Sequence, residues 1–555
     1  SDARRWDGYM GEQVLPATTA HVVIEEDCTY DLASGAVASV TVMPRRALTV
    51  MPSASLTISD SLRLVSGASF VNKGAVSVPL CTYIDTLAAG RNWYLSSPVA
   101  SWDFASAFSP AGTPGGALLV TETYSEPTHA WQQITSAPDA GVGMVIQSET
   151  QPLAVAFAGG LSFSDITVPL TNTSTDIKQG FNLVGNPFPS YWRLTGKTVA
   201  AAGIYSTMWY RTYTPTLGYE YVAYNANSTV AAAPGWENAS TSAELGYIPP
   251  MQAFWVRLMP ANDSGTFTFD YASVEATGSG NRLRAASYTE LQNLQDLQVD
   301  DLQDFVGTPS LRETKQSAED EDTPPVIDVL VRLDVAKIDT TGVDQMVIYA
   351  TKNAKPDFDD FDSEKMTDGG DRIRIYTKAT DLLSTGKTLE RELCIDGRPA
   401  IKVGDVIPLV FWAAYAGEFM LKSSEQRGCG DIAVWLVDKL ANKEFKLNSG
   451  GIYYFSSRSG EIADRFTLEF RTAPVGNEVV MPDESFFAWS SAPGVISVRG
   501  TSAGEKVEVF NVLGRLIRTS SEIDRITGFA EFTGLERGIY FVRCKGESVK
   551  VVVGY

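Results

Sequence analysis

Val40-Thr41-Val42, Leu48-Thr49-Val50, Leu56-Thr57-Ile58, Leu62-Arg63-Leu64 and Ser69-Phe70-Val71 follow one another within residues 37–78, parted by Gly, Pro, Ser and Asp. Apolar residues at alternate positions, in runs too short for a helix, describe strands with one face turned inward. Their close spacing predicts a short strip of β-solenoid or β-roll in which each turn stacks on the last. Beyond the strip the period stays at two. Asn92-Trp93-Tyr94-Leu95, Phe181-Asn182-Leu183-Val184 and Ala253-Phe254-Trp255-Val256 read as strands, separated by turn signals such as Gly185-Asn186-Pro187 and Ile248-Pro249-Pro250. Residues 326–335, 345–350, 372–376, 406–413, 433–438 and 466–470 read the same way.

The predicted fold class is all-β, a multidomain chain of β-sandwiches of jelly-roll or immunoglobulin-like type. We place the strip at 1–80, a large sandwich at 81–280, an acidic linker at 281–325, a second sandwich at 326–472, a linker at 473–488 and a small immunoglobulin-like domain at 489–555. Within the acidic linker, Leu291, Leu294, Leu297 and Leu302 are spaced to line one face of a short helix.

Composition bounds the function. The 555 residues carry 45 basic against 66 acidic side chains, a net charge of −21, which repels phosphate and argues against a nucleic-acid partner. No apolar run is long enough to span a bilayer as a helix, so no transmembrane segment is expected. Residues 481–555 hold nine basic and nine acidic side chains, so all of the excess negative charge lies upstream of them. With only two histidines, His21 and His129, imidazole-based metal sites and catalysis have little material. Five cysteines suit an oxidising compartment with two bridges, for which Cys28 with Cys81 and Cys394 with Cys429 are the pairs to test.

Three stretches invite a chemical reading. Asp357, Asp359, Asp360, Asp362, Glu364 and Asp368 form the densest run of carboxylates, and Asp357, Asp359 and Asp362 are the candidate calcium ligands; a solvated acidic loop is the alternative. Trp209, Tyr210, Tyr213, Tyr219, Tyr221, Tyr224 and Trp236 would offer a stacking platform for a glycan or an anchor for a protein partner, if exposed. The same alternation also suits sandwich core. Gly500-Thr501-Ser502-Ala503-Gly504 matches a nucleophile elbow in letters only, because it joins two strands and has no histidine in its domain. No catalytic residue is assigned, and apart from calcium no cofactor is expected.

The last domain carries the most specific pattern. Val507-Glu508-Val509-Phe510-Asn511-Val512-Leu513-Gly514-Arg515-Leu516, then Leu535-Glu536-Arg537-Gly538-Ile539-Tyr540-Phe541-Val542, then Lys550-Val551-Val552-Val553 resembles the type A C-terminal sorting domain of the type IX secretion system of Bacteroidetes. The resemblance covers this domain in its expected order. It implies passage through the periplasm, recognition of the domain by the outer-membrane translocon, and removal by a surface sortase. On that reading Gly514 and Gly538 permit tight turns, Tyr540 anchors the small core, and Lys550, Val551, Val552 and Val553 complete the sheet presented to the translocon.

Upstream, Trp93-Tyr94-Leu95-Ser96-Ser97-Pro98-Val99, Gly180-Phe181-Asn182-Leu183-Val184-Gly185-Asn186-Pro187 and Phe358-Asp359-Asp360-Phe361-Asp362-Ser363-Glu364-Lys365-Met366 resemble strands of large surface proteins carrying that domain. The expectation is a secreted, surface-located adhesin or binding module with a glycan or cell-surface protein as ligand. The alternatives are a glycan-active hydrolase with accessory sandwiches, or an accessory component of the secretion machinery.

Overall fold

The computed structural model describes residues 17–110, 119–148, 152–173, 179–214, 218–234, 245–259, 262–276, 326–338, 342–367, 372–382, 388–447, 451–473, 487–492, 494–499, 505–520, 530–544 and 547–553. The leucines of the acidic linker, Trp236, Asp368 and the 500–504 turn lie outside these residues.

The chain is all-β, and it begins as a solenoid. His21–Ile24, Gly35–Val42 and Ser55–Val65 pair in parallel, while Cys28–Tyr30, Ala47–Val50 and Ser69–Asn72 form a second parallel sheet. Successive segments alternate between the two sheets, and Val40, Leu48, Leu62 and Phe70 fill the space between them. Residue 80 does not end this sheet. Cys81–Leu87 adds to Ser55–Val65 in parallel, then pairs antiparallel with Leu153–Gly159, which in turn holds Phe108–Pro110. Antiparallel strands thus cover the edge that a parallel strip would otherwise leave open.

The first sandwich adds two main sheets. One runs in the order Ala130–Gln133, Leu119–Ser125, Met144–Ser148, Arg91–Leu95; the other Phe181–Gly185, Ala253–Arg257, Thr207–Thr214, Gly218–Asn225, Val230–Ala232. Behind the second sheet, Trp192, Tyr210, Phe254, Phe267 and Phe269 make an aromatic core. The strip is tied to it by Phe70 N–H donating to Pro189 O and Asn72 N–H donating to the Tyr271 hydroxyl, at 2.7 and 3.1 Å.

The second sandwich is built from long antiparallel ladders such as Val329–Lys337 against Gly417–Arg427 and Val406–Ala413 against Gly460–Thr472. Its interior is dominated by Phe411, Phe419, Phe455, Phe466 and Phe470.

The last domain has its own two sheets and its own core around Val507, Val509, Tyr540, Val542 and Val553. Gly514 sits at φ 74° in the turn closed by its N–H to Asn511 O, a left-handed position that suits glycine. Gly538 corrects the expectation of a turn. It is the first residue of the strand Gly538–Cys544, and it is not among the positive-φ glycines. Tyr540 is buried and its hydroxyl donates to Glu536 O at 2.7 Å. In the final strand Val551 and Val553 enter the core and Lys550 faces solvent, while the Val552 backbone pairs with Ile539.

Candidate functional site

The strands Thr207–Thr214 and Gly218–Asn225 set the geometry. Their register places Thr207 opposite Asn225, Trp209 opposite Ala223, Arg211 opposite Tyr221 and Tyr213 opposite Tyr219 on one face. The intervening Met208, Tyr210, Val222 and Tyr224 fall on the other face, inside the aromatic core. The exposed-platform reading is therefore corrected. Trp209 and Tyr224 are 2% exposed and Tyr210 is 0% exposed, while Tyr213, Tyr219 and Tyr221 are half-buried. Both faces of this sheet are covered. Tyr210 donates to Leu245 O at 2.8 Å, and the Tyr219 hydroxyl takes the Asn92 N–H at 2.5 Å, with the Arg211 guanidinium 3.8 Å above its ring.

What covers the Trp209 face is partly the second sandwich. Trp209, Ala223, Val230, Ala232 and Trp255 share one apolar cluster with Leu330, Val347, Tyr349, Cys394 and Ile395. Polar bonds frame it. Asn225 Nδ2 donates to Asp360 O and Asp362 O at 3.1 and 3.0 Å, Thr207 Oγ1 to Ser363 Oγ at 2.8 Å, and Trp209 Nε1 to Glu364 O at 2.9 Å. Arg257 of the first sandwich forms an ion pair with Glu364, which Arg391 also reaches at 3.3 Å. Two stretches singled out separately in the sequence, the aromatic ladder and the carboxylate run, are thus the two halves of one seam.

Whereas Glu364 pairs with arginines, Asp359 and Asp362 are turned to backbone amides. Asp359 accepts from Lys355 N–H and Phe361 N–H at 2.7 and 2.8 Å. Asp362 accepts from Asp359 N–H and Gly397 N–H at 2.9 and 2.8 Å, while Asp357 faces solvent. Among the described residues no three His, Cys, Asp or Glu side chains come together as a metal-holding group. Of the calcium ligand set Asp357, Asp359 and Asp362, two members accept backbone amides and the third faces solvent. Burial, and then the neighbouring Asp396 carboxylate, push Asp362 up to about 8.

The disulfide expectation is corrected too: Cys28, Cys81, Cys394 and Cys429 are all free thiols. Cys28 and Cys81 lie on the two facing sheets of the strip, and Cys394 belongs to the seam whereas Cys429 packs on the second sandwich's interior.

Beside this clasp, the segment 360–364 bonded to the first sandwich, lies a small cleft, partly open to solvent, with Tyr221, Pro234, Asp344, Lys365, Arg374 and Cys394 in its wall. Lys365 Nζ meets Asp344 Oδ1 at 2.6 Å, and Asp344 Oδ2 accepts the Ile375 N–H at 2.6 Å. The Cys394 thiol is pushed up to about 12, chiefly by burial, which leaves it protonated rather than nucleophilic. Neither histidine lines the cleft: His21 bonds Ser39 on the strip, and His129 closes a 3₁₀ turn in a left-handed conformation. Sequence reasoning passed over Asp344, Lys365, Arg257, Asn225 and Gly397. No local signal marks them, since each matters through a partner more than 20 residues away.

Fold and seam define a multidomain β protein in which a solenoid strip and a sandwich are closed by a second sandwich. Residues 10–293 match the family described as a domain of unknown function, DUF8693, and the chain belongs to that family. The matched span contains the strip and the first sandwich up to Val274–Glu275. No curated protein matches the sequence. Among solved structures, the Bacillus anthracis TIE protein aligns over 81% of this chain at 7% identity with a TM-score of 0.09. The alignment spans 66% of that protein, just under two thirds of its length. Among the described residues no helix is long and apolar enough to cross a membrane.

Proposed function

We propose that this chain is a secreted, cell-surface protein exported by the type IX secretion system, acting as an adhesin or binding module. The observation that carries the proposal is the C-terminal unit. Its strands hydrogen-bond one another, its core is its own, and it bears the Phe-Asn-Val-Leu-Gly-Arg-Leu turn and the terminal Lys-Val-Val-Val that resemble a sorting domain. A translocon that reads a folded signal needs a signal able to fold apart from its cargo. Its partners in export are the translocon and the sortase, and its ligand is a glycan or a surface protein.

Deleting residues 487–555 tests the reading. The truncated protein accumulates in the periplasm, measured by fractionation and surface proteolysis, whereas normal surface display of the truncation refutes export through this domain. A glycan array run beside a turnover assay separates binding from hydrolysis: retention without product release supports the binding module.

A further inference from the structure

The Lys365–Asp344 pair differs from the other lysine ion pairs among the described residues. Its side chains are 8% and 4% exposed, whereas Lys378 and Lys506 are 27% and 63% exposed in their pairs with Glu390, Glu461 and Glu508. Lys365 follows directly on the clasp segment, with its own N–H held by Glu392 O, and Asp344 lies on Val343–Ala350, next to the Gln345 that takes the Ala233 N–H. Two buried ions at this distance suffer a desolvation cost that a shift of the proton from nitrogen to oxygen removes. The result is an uncharged amine and a carboxylic acid in contact, with Asp344 held on its strand and Lys365 one residue past the strand Ser363–Glu364, its N–H bonded to Glu392 O. Such positioning is worth effective concentrations on the order of 10⁵ M or more in well-oriented intramolecular reactions.

We propose that Lys365 and Asp344 condense into an intramolecular isopeptide bond that staples the interdomain clasp to the second sandwich. The ammonium passes one proton to Asp344 Oδ1, and the neutral Nζ adds to Cγ. The charge that forms on Oδ2 meets the Ile375 N–H already bonded there at 2.6 Å, as an oxyanion donor does. A second proton passes from nitrogen to Oδ1, the Cγ–Oδ1 bond breaks, and water leaves toward the cleft whose wall holds both residues. One C–N bond forms, one C–O bond breaks, one water is released, and nothing is oxidised or reduced. The bond closes a loop between residues 21 positions apart, and it neutralises two buried charges at once.

Intact-mass measurement of the purified, denatured full chain reads the proposal. The expected mass is one water below that dictated by the sequence, with a branched proteolytic peptide joining Lys365 to Asp344. Lys365→Arg and Asp344→Ala return the masses of their own sequences, and Asp344→Asn, whose leaving group is ammonia, falls one ammonia below its own. Full sequence mass in the folded wild-type protein overturns the proposal. So does a lost water that maps to a succinimide at Asp396-Gly397 rather than to the Lys365–Asp344 branch.

Discussion

Asp362 combines two opposing demands in one carboxyl group. Its oxygens cap two backbone amides, a role that favours the ionised form, yet burial and Asp396 favour the neutral one and prevail, with a folded value of about 8 against an ordinary 3.8. Between those values the folded protein keeps a proton that the unfolded chain has released. Raising the pH through that window therefore favours unfolding. Urea midpoints should fall from about pH 4 to about pH 8, and Asp362→Asn should flatten that dependence even if it lowers stability overall. Gly397 is a second such point, where backbone passes close over backbone. A Cβ there would lie 2.8 Å from Phe361 O and 2.9 Å from Phe361 Cβ, so the glycine lets the clasp pass close over its strand. Gly397→Ala should cost about 1–3 kcal/mol in chemical unfolding, as overpacking does.

At the level of elements, the alternating aromatics from Trp209 to Tyr224 suited cross-strand pairing in a sandwich core, which the strands Thr207–Thr214 and Gly218–Asn225 provide. That alternation could not say which face meets water. Tyr210 and Tyr224 point into the aromatic core, and Trp209 points into a seam whose other half lies some 155 residues further on. The carboxylate run was visible for a similar reason, as a local density of Asp, while its use as amide caps depends on the fold of the loop and on Gly397 from another strand. Asn225 binds the two together. Its amide nitrogen serves Asp360 O and Asp362 O, and its oxygen takes Asn227 and Ser228 amides. Asn225→Ala should cost about 3 kcal/mol in thermal or urea unfolding, because several buried groups lose partners at once. Thr167, paired on the surface with Thr268, is the control, with an expected change within about 0.5 kcal/mol on Thr167→Ala.

On the scale of the whole molecule, the seam and the strip contacts join the described residues of the strip and both sandwiches into one packed body, while the last domain keeps a separate core. Shared apolar burial couples unfolding, and a domain without it melts alone. Calorimetry should accordingly show one large transition for the strip and both sandwiches and a smaller one for residues 487–553, and removal of the C-terminal unit should erase the smaller and leave the larger in place. The sequence by itself determined the all-β class, the solenoid start and the composition of the last domain, because alternation, turn residues and charge are local properties. Tertiary structure alone decided that the strip runs on past residue 80, that the aromatic ladder is buried, that the cysteines stay apart and that the Asp run is a clasp. Each of these is a statement about which distant surface covers which face, and a pattern of period two carries no information about its eventual neighbour.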